Sequence, residues 1–461
     1  MLLHMNRLFI FLTFVIQSSA LGTTSLFEKW RELVPAEMQG LPAGVLKWYI
    51  TETDYLSRAV DTYKIVSPEN NSQDEFYKPE RKKVFDVVAV WIPEKELRTY
   101  TSPSGEKLRS IFFRNRNGQS EFLFLIHPES KSFYKKFLNP TFQVETFQAA
   151  ATSSSRSLLI WRPGHENQPF IAKLSLNKEI AGVLRNLKGS ETAMSVGVSS
   201  TLEGSTNFPK NFLYMKESLS AIPKGMEKGG MIVREFPQEM LNDSSYFVPL
   251  FALYGNKKPG YLLRLLQNSK DSTEETLRKM ILRPFAEVWL DLAMNHGILS
   301  EPHAQNVLIE INNDGTTGRF LFRDFGGFSI DFDYRRSRNL FVPSNLPTFT
   351  GSIQKDYYVE RFAPHIRESL AIYFEGGFLY NIDKAVKTWV SDGLISGGGN
   401  FNSYTAFQEE LVKVVEAKTR KKIKLGAYYE GLDSFIFKNR TTKAEPKQSK
   451  ESCAVILSRK L

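Results

Sequence analysis

EPHAQNVLIEINNDGTTGRFLFRDFGG, residues 301–327, is the stretch on which the reading of this chain turns. Val307, Ile309 and Ile311 alternate along one side of a strand, NNDGTTG supplies a turn, and RFLFR returns as a second strand. Such a hairpin brings Asn306, just before the first strand, beside Asp324, where the second strand ends. Glu301 lies a short distance ahead of the Asn. Oxygen-bearing side chains at the mouth of a hairpin suit Mg²⁺, which takes one or two carboxylates and completes its shell with substrate phosphate and water. His303, between Glu301 and Asn306, is placed to donate to a phosphate oxygen.

Outward from this stretch the pattern is mixed. A helix opens at Ser272, which forms a capping box with Glu275, repeats apolar residues at Leu277, Ile281, Phe285, Val288, Trp289 and Leu292, and closes at Gly297. Further upstream, SLLIW and FIAKLSL flank the turn-rich RPGHENQ and read as another hairpin. Residues 84–126 alternate in strand fashion (VFDVVAVWI, LRSIFFRN, EFLFLI), and residues 21 to about 80 look helical and mixed, ending in the polar loop Ser67–Gln73. After about 340 the chain becomes helical again (VERFAPHIRESLAIYFE, SYTAFQEELVKVVEAKTRKK), then polar from Thr441. This is an α+β chain with no internal repeat.

Composition narrows the class. The 461 residues, 42% of them apolar with 35 Phe and 18 Tyr, fill substantial cores and exclude a disordered chain. The formal charge of +10 is spread along the length apart from Lys-rich runs at Arg420–Lys424 and Lys443–Lys450, so it argues only weakly for a polyanionic partner and suits a nucleotide-sized anion as well as nucleic acid; no nucleic-acid partner is expected. The first twenty residues run from Arg7 through the apolar Leu8–Ile16 to Ser18-Ser19-Ala20 and read as a secretory signal peptide cleaved after Ala20. The alternatives are an uncleaved anchor or a start codon placed too early, which would leave the chain cytoplasmic. No second apolar run is long enough for stable membrane insertion. Cys453, the single cysteine, excludes an internal disulfide, and an exported chain of this kind fits a bacterial periplasm or a secreted protein.

Two readings start from the hairpin. As a protein kinase, the chain would offer Asn306 and the Asp324-Phe325-Gly326 triplet as metal ligands, Glu301 in place of the catalytic base, and Lys173 of FIAKL as the phosphate-pairing lysine. It has no HRD, and SSSRS stands where a G-x-G-x-x-G loop belongs. The second reading is closer. Glu301, His303, Gln305 and Asn306 fit an E-x-H-x-Q-N signature and Arg323, Asp324 and Gly327 an R-D-x-x-G signature, and in both the chain resembles the IucA/IucC family, siderophore synthetases independent of non-ribosomal peptide synthetases. TSSSRS resembles that family's S-x-R-T turn, with Ser157 in place of Thr, and IAKLSLNKEIAGVLRNL resembles its K-L-S segment, with Ala181-Gly182 departing from it. IVREFP resembles its R-E-x-P strand, and IHPESKSFYKK its HP-x-x-K segment.

The resemblance implies a multidomain architecture like palm, fingers and thumb, a kinase-like ATP-binding β-hairpin site and a helical C-terminal part. Behind the signal peptide (1–20), which is unusual for that family, the chain divides into an N-terminal α+β region (21–150), an ATP-binding core (151–340), a helical region (341–440) and a polar tail (441–461). The implied activity is that of an ATP-dependent ligase of siderophore biosynthesis and iron acquisition. It would adenylate a citrate-like carboxylic acid and condense it with an amine or hydroxyl, and a homodimer is compatible with it. Ser154, Arg156 and Ser157 would hold phosphate and acid, Lys173, Arg185 and His303 would stabilise the reacting phosphate, and Glu301, Asn306 and Asp324 would hold Mg²⁺. Outside the family frame Arg156 and Arg185 read as surface cations, Lys173 as the solvent side of a strand, and Arg323 as partner of a neighbouring acid. His127 and His165 read as loop residues, His296 and His365 as helix-terminus or surface histidines. A kinase-like phosphotransferase and an exported, inactive relative that binds a carboxylate ligand or a protein are the alternatives.

Overall fold

The computed structural model describes residues 30–55, 73–180, 183–255, 259–343 and 369–420. The leader and its Ala20 boundary, most of the polar loop before Gln73, the start of the helical stretch near His365, Cys453 and the tail from Thr441 lie outside the described residues.

Alternation of apolar residues produces most of the strands: β1 (Val84–Pro93), β2 (Leu97–Thr101), β3 (Phe113–Arg116), β4 (Gln119–Ile126), β5 (Val144–Ala151), β6 (Ser157–Trp161) and β7 (Phe170–Leu174). A short ladder follows, β8 (Leu176–Ile180) and β9 (Val183–Arg185). Then come β10 (Phe212–Tyr214), β11 (Glu217–Pro223), β12 (Met231–Arg234), β13 (Ser245–Pro249), β14 (Ile298–Leu299), β15 (Val307–Asn312), β16 (Thr317–Phe322) and β17 (Ser329–Ile330). Nine of them form one antiparallel sheet in the order β2-β11-β12-β7-β6-β5-β1-β4-β3.

Connectivity forces this sheet to curl. β2 starts just after β1 ends, with only Glu94–Glu96 between them, yet the two stand six places apart in the order. In a flat sheet that separation is roughly 29 Å, whereas the link spans at most about 14 Å. The edges therefore approach each other, and Ser120 at the start of β4 donates to Glu94 Oε2 at 2.7 Å. A shallow groove of about 680 Å³ lies along this seam between β2 and the β3–β4 turn. It gathers no converging set of cations or acids, and Glu94 in it is already engaged by Thr99 and Ser120.

Residue 150, where composition suggested a boundary, falls within β5, and β5 pairs with β6 from Gln148↔Trp161 to Ala151↔Leu158. The change to Ser-rich sequence there marks a turn inside one sheet, because the turn needs small polar residues and the strands around it do not.

Strand parity sorts the side chains between two cores. Leu158, Ile160, Ala172 and Leu174 join the sheet's own apolar cluster with Val233 and Ala221. Their neighbours Leu159, Trp161 and Ile171 turn to the opposite face and pack with the helix Ala43–Asp54, through Trp48 and Val45, in a larger cluster. On that second face stands the four-stranded sheet β10-β16-β15-β13, in which β10 and β16 are parallel and the other pairs antiparallel.

The helix signalled from Ser272 forms, with Ser272 Oγ accepting from Glu275 N at 3.2 Å and Gly297 at φ 59° ending it. It is not uniform. The turn Arg278–Leu282 is widened to π geometry directly ahead of Pro284, which has no N–H to give and whose ring crowds the preceding turn. The C-terminal helix Ser403–Thr419 packs back on this helix, and Tyr380–Ser391 packs in turn on Ser403–Thr419 and on Leu250–Tyr254. Phe285 stacks on Phe374 at 4.0 Å between ring centroids, and buried Glu410 takes Arg278 and Arg283 at 3.1 and 2.7 Å. No helix of the described residues is long and apolar enough to cross a membrane.

Candidate active site

The hairpin closes as its sequence requires. β15 and β16 pair from Ile311↔Thr317 to Val307↔Phe322, and beyond the Val307↔Phe322 pair Arg323 N donates to Asn306 O at 3.0 Å. Asp324 then leaves the ladder at φ 67°, the left-handed region that Asp and Asn enter more readily than other side chains. That bend turns its carboxyl away from the hairpin towards the nine-stranded sheet.

Register brings the sheet's polar residues to meet it. Ser157 is opposite Lys173, Lys173 opposite Ile232, Ile171 opposite Arg234, and Arg234 opposite Glu217. Facing residues share a side, so Ser157, Lys173, Arg234 and Glu217 all project from the face that bears Ile171. Lys173 is not on a solvent face: it is 6% exposed and ion-paired with Asp324. The turn between β5 and β6 is closed by Ser157 N donating to Ser154 O at 2.9 Å, and it presents Ser154 and Arg156 beside the lysine.

Ser154, Arg156, Ser157, Lys173, Arg185, Asn306 and Asp324 thus line one cleft of about 200 Å³. Arg234, Arg323 and Gln305 line it as well. Two residues expected at the site stand back from it. Glu301 accepts from Asn306 Nδ2 at 3.3 Å, so it holds the amide and leaves the amide oxygen as the atom to face a cation. His303 is buried, its Nδ1 accepting from Gln305 N at 3.2 Å. Burial lowers its pKa to about 4 against the pull of Asp324, so the imidazole is a neutral donor and adds no positive charge.

Charge in the cleft is lopsided. Burial works against ionising Asp324, but Lys173 and Arg234 outweigh it and hold the carboxyl far below the usual range. Burial lowers the pKa of Lys173 and of Arg156, with Asp324 opposing in each case. Arg234 is disfavoured by burial, yet Glu217 and Asp324 keep its guanidinium charged.

The fit to the expected groups can be read from these donors. One carboxylate (Asp324) and one amide oxygen (Asn306) beside several cations form a donor set suited to Mg²⁺ bound together with phosphates, and poor for a metal held by protein alone. Consistently, among the described residues no three His, Cys, Asp or Glu side chains group as a metal site.

Sequence reading overlooked the residues that brace the cleft. Glu52, from the helix Ala43–Asp54, is fully buried and takes Arg323 at 2.7 Å, Trp48 Nε1 at 3.1 Å and Ser153 N at 3.2 Å. The reading of Arg323 as partner of an acid holds, though the acid is distant in sequence. Glu217, also fully buried, accepts from Arg234 Nε at 2.6 Å and from Phe325 N at 3.2 Å, tying the sheet to the turn after Asp324. Arg234 was visible as part of R-E-x-P but had no role assigned. The signal that could have found it is the register of β12 on β7, which puts Arg234 on the same face as Lys173.

His127, expected in a loop, is wholly buried against Tyr77 and Phe85, and burial lowers its pKa to about 3. The unfolded chain, titrating near 6.5, then binds the extra proton first, so stability is full above about pH 6.5 and declines as pH falls toward 3. Denaturant melts at successive pH values should show His127→Gln losing less stability than wild type below about pH 6.5. Equal slopes would contradict a neutral buried ring. His296, at a helix end as expected, is buried rather than surface, with Phe208 at 4.6 Å between rings.

This architecture is the fold of the siderophore synthetases. The chain is similar to the petrobactin biosynthesis protein AsbB from Bacillus anthracis str. Sterne, with 15% identity over 80% of this chain and 68% of that one and a TM-score of 0.59. It is similar to ATP-bound aerobactin synthetase IucA from Klebsiella pneumoniae (14%, 85% and 77%, TM-score 0.52) and to aerobactin synthetase IucC from the same species (13%, 89% and 78%, TM-score 0.55). At such identities the likeness is one of fold. No family model matches the sequence, and no curated protein matches it.

Proposed function

We propose that the chain is an ATP-dependent acid–amine ligase of siderophore-synthetase type. The observation that carries this reading is the convergence of Arg156, Lys173, Arg185 and Arg234 with Asn306 and Asp324 in one cleft, in a fold shared with a synthetase that binds ATP.

In the reaction a carboxylate oxygen of a citrate-like acid attacks the α-phosphorus of ATP. The bond to the bridging oxygen breaks and pyrophosphate leaves. An amine nitrogen or hydroxyl oxygen then attacks the acyl carbon, and AMP departs. The obstacle is repulsion between two anions, and the residues answer it by charge. Arg156 and Arg185 at the rim suit the acid and the phosphate, since a guanidinium grips either at two points. Lys173 is fixed on a rigid strand and buried, where a cation acts more strongly than in water. Asn306 and Asp324 would hold Mg²⁺, which supplies charge neutralisation to the polyphosphate. Glu301 keeps the Asn306 amide oriented, and Gln305 with Arg323 holds the Ser153 turn.

Incubation with ATP, Mg²⁺, citrate and hydroxylamine tests this. A hydroxamate with matching AMP and pyrophosphate is expected. ADP as the nucleotide product would point to a kinase-like phosphotransferase, and absence of nucleotide binding under all conditions to an exported, inactive relative.

A further inference from the structure

Asp324 is in an odd place for a residue that waits for a metal. Its Oδ1 is ion-paired with Lys173 and lies 3.2 Å from Arg234 Nη2. Arg234 Nε is taken by Glu217, but its Nη2, buried in the same cleft, makes no directed hydrogen bond, so the contact with Asp324 is one of charge alone. Both cations belong to rigid strands, and β7 pairs with β12 from Met231↔Leu174 to Arg234↔Ile171. Asp324, by contrast, sits on a short left-handed bend followed by the turn Phe325–Gly327. The member of the cluster that stands outside the paired strands is the anion.

We infer that Lys173 and Arg234 form a polyphosphate-binding pair whose resting occupant is the protein's own Asp324 carboxylate, so that polyphosphate enters once a divalent cation draws that carboxylate away. This rests on the reading of the cleft as an ATP site and adds Arg234 and an order of events to it. Two anions compete for the same pair of cations, and free polyphosphate must displace a carboxylate already paired there. A cation held by Asp324 and Asn306 removes the competitor and joins the incoming phosphate to it.

Pyrophosphate is the probe, followed by titration calorimetry with Mg²⁺ or with EDTA. Wild type should bind it with Mg²⁺ and about tenfold or more weakly in EDTA. Asp324→Asn, and Asp324→Gly as a second variant equally tolerant of positive φ, should bind it in EDTA about tenfold or more tightly than wild type does in EDTA. Adding Arg234→Gln to Asp324→Asn should abolish that gain. The inference is overturned if wild type binds as tightly in EDTA as in Mg²⁺, or if folded Asp324 variants gain nothing. Wild type that binds neither pyrophosphate nor ATP even with Mg²⁺ would instead refute the assignment of the cleft, and the inference with it. Binding that requires Mg²⁺ in wild type and in the variants alike would overturn the inference and leave that assignment standing.

Discussion

Lys173→Met should lower the rate of pyrophosphate release by roughly two to three orders of magnitude while the protein remains folded. The expected size is that of removing one oriented electrostatic donor from a site shielded from water, and Lys173 qualifies on position: it is held on β7 and 6% exposed. Its effect should fall on turnover as well as on nucleotide affinity, because negative charge builds on the transferred phosphorus only as the new bond forms. Steady-state pyrophosphate release with saturating ATP and citrate measures it. A variant that keeps wild-type turnover and loses only ATP affinity would remove Lys173 from the chemistry. Loss of stability is not expected to account for the result, since deleting this amine also frees Asp324 to be solvated through the open side of the cleft.

Glu52→Ala should have the largest effect on stability, about 3–5 kcal/mol, read as a lowered midpoint in thermal and urea melts. The carboxylate is fully buried and serves Arg323, Trp48 and Ser153, so its removal strands a guanidinium, an indole N–H and a backbone N–H away from water. The paired replacement Glu52→Leu with Arg323→Met removes both charges and should recover a good part of the loss. If single and paired variants are equally unstable, packing rather than the uncompensated charge is responsible. Activity separates from stability here: the paired variant should fold yet catalyse poorly, because Arg323 also holds Gln305 O at 2.6 Å, and Gln305 in turn holds Ser153.

Much of the local structure was legible in sequence because it depends on near neighbours. The hairpin about NNDGTTG, the capped helix from Ser272 to Gly297, and the strands SLLIW and FIAKL follow from period, turn residues and caps, which act over a few positions. Asn306 and Asp324 could be placed together because one hairpin joins them, and Ser154, Arg156 and Ser157 because one turn does. The ordering of these motifs along the chain pointed to the synthetase fold.

Tertiary structure alone decided the rest, and the reason is distance along the chain. The curl of the nine-stranded sheet depends on β2 crossing to β11, a pairing that no local pattern specifies. Arg234 enters the cleft through the register of β12 on β7, and Glu52 and Glu217 reach Arg323 and Phe325 across 271 and 108 residues. Burial is likewise a property of the assembled fold, so the neutrality of His303 and His127 could not be read from their neighbours in sequence. The same holds for Glu301, whose spacing suggested a metal ligand. Only the fold shows its carboxylate spent on the Asn306 amide, since a short acidic side chain bonds whichever donor packing brings within about 3 Å of it.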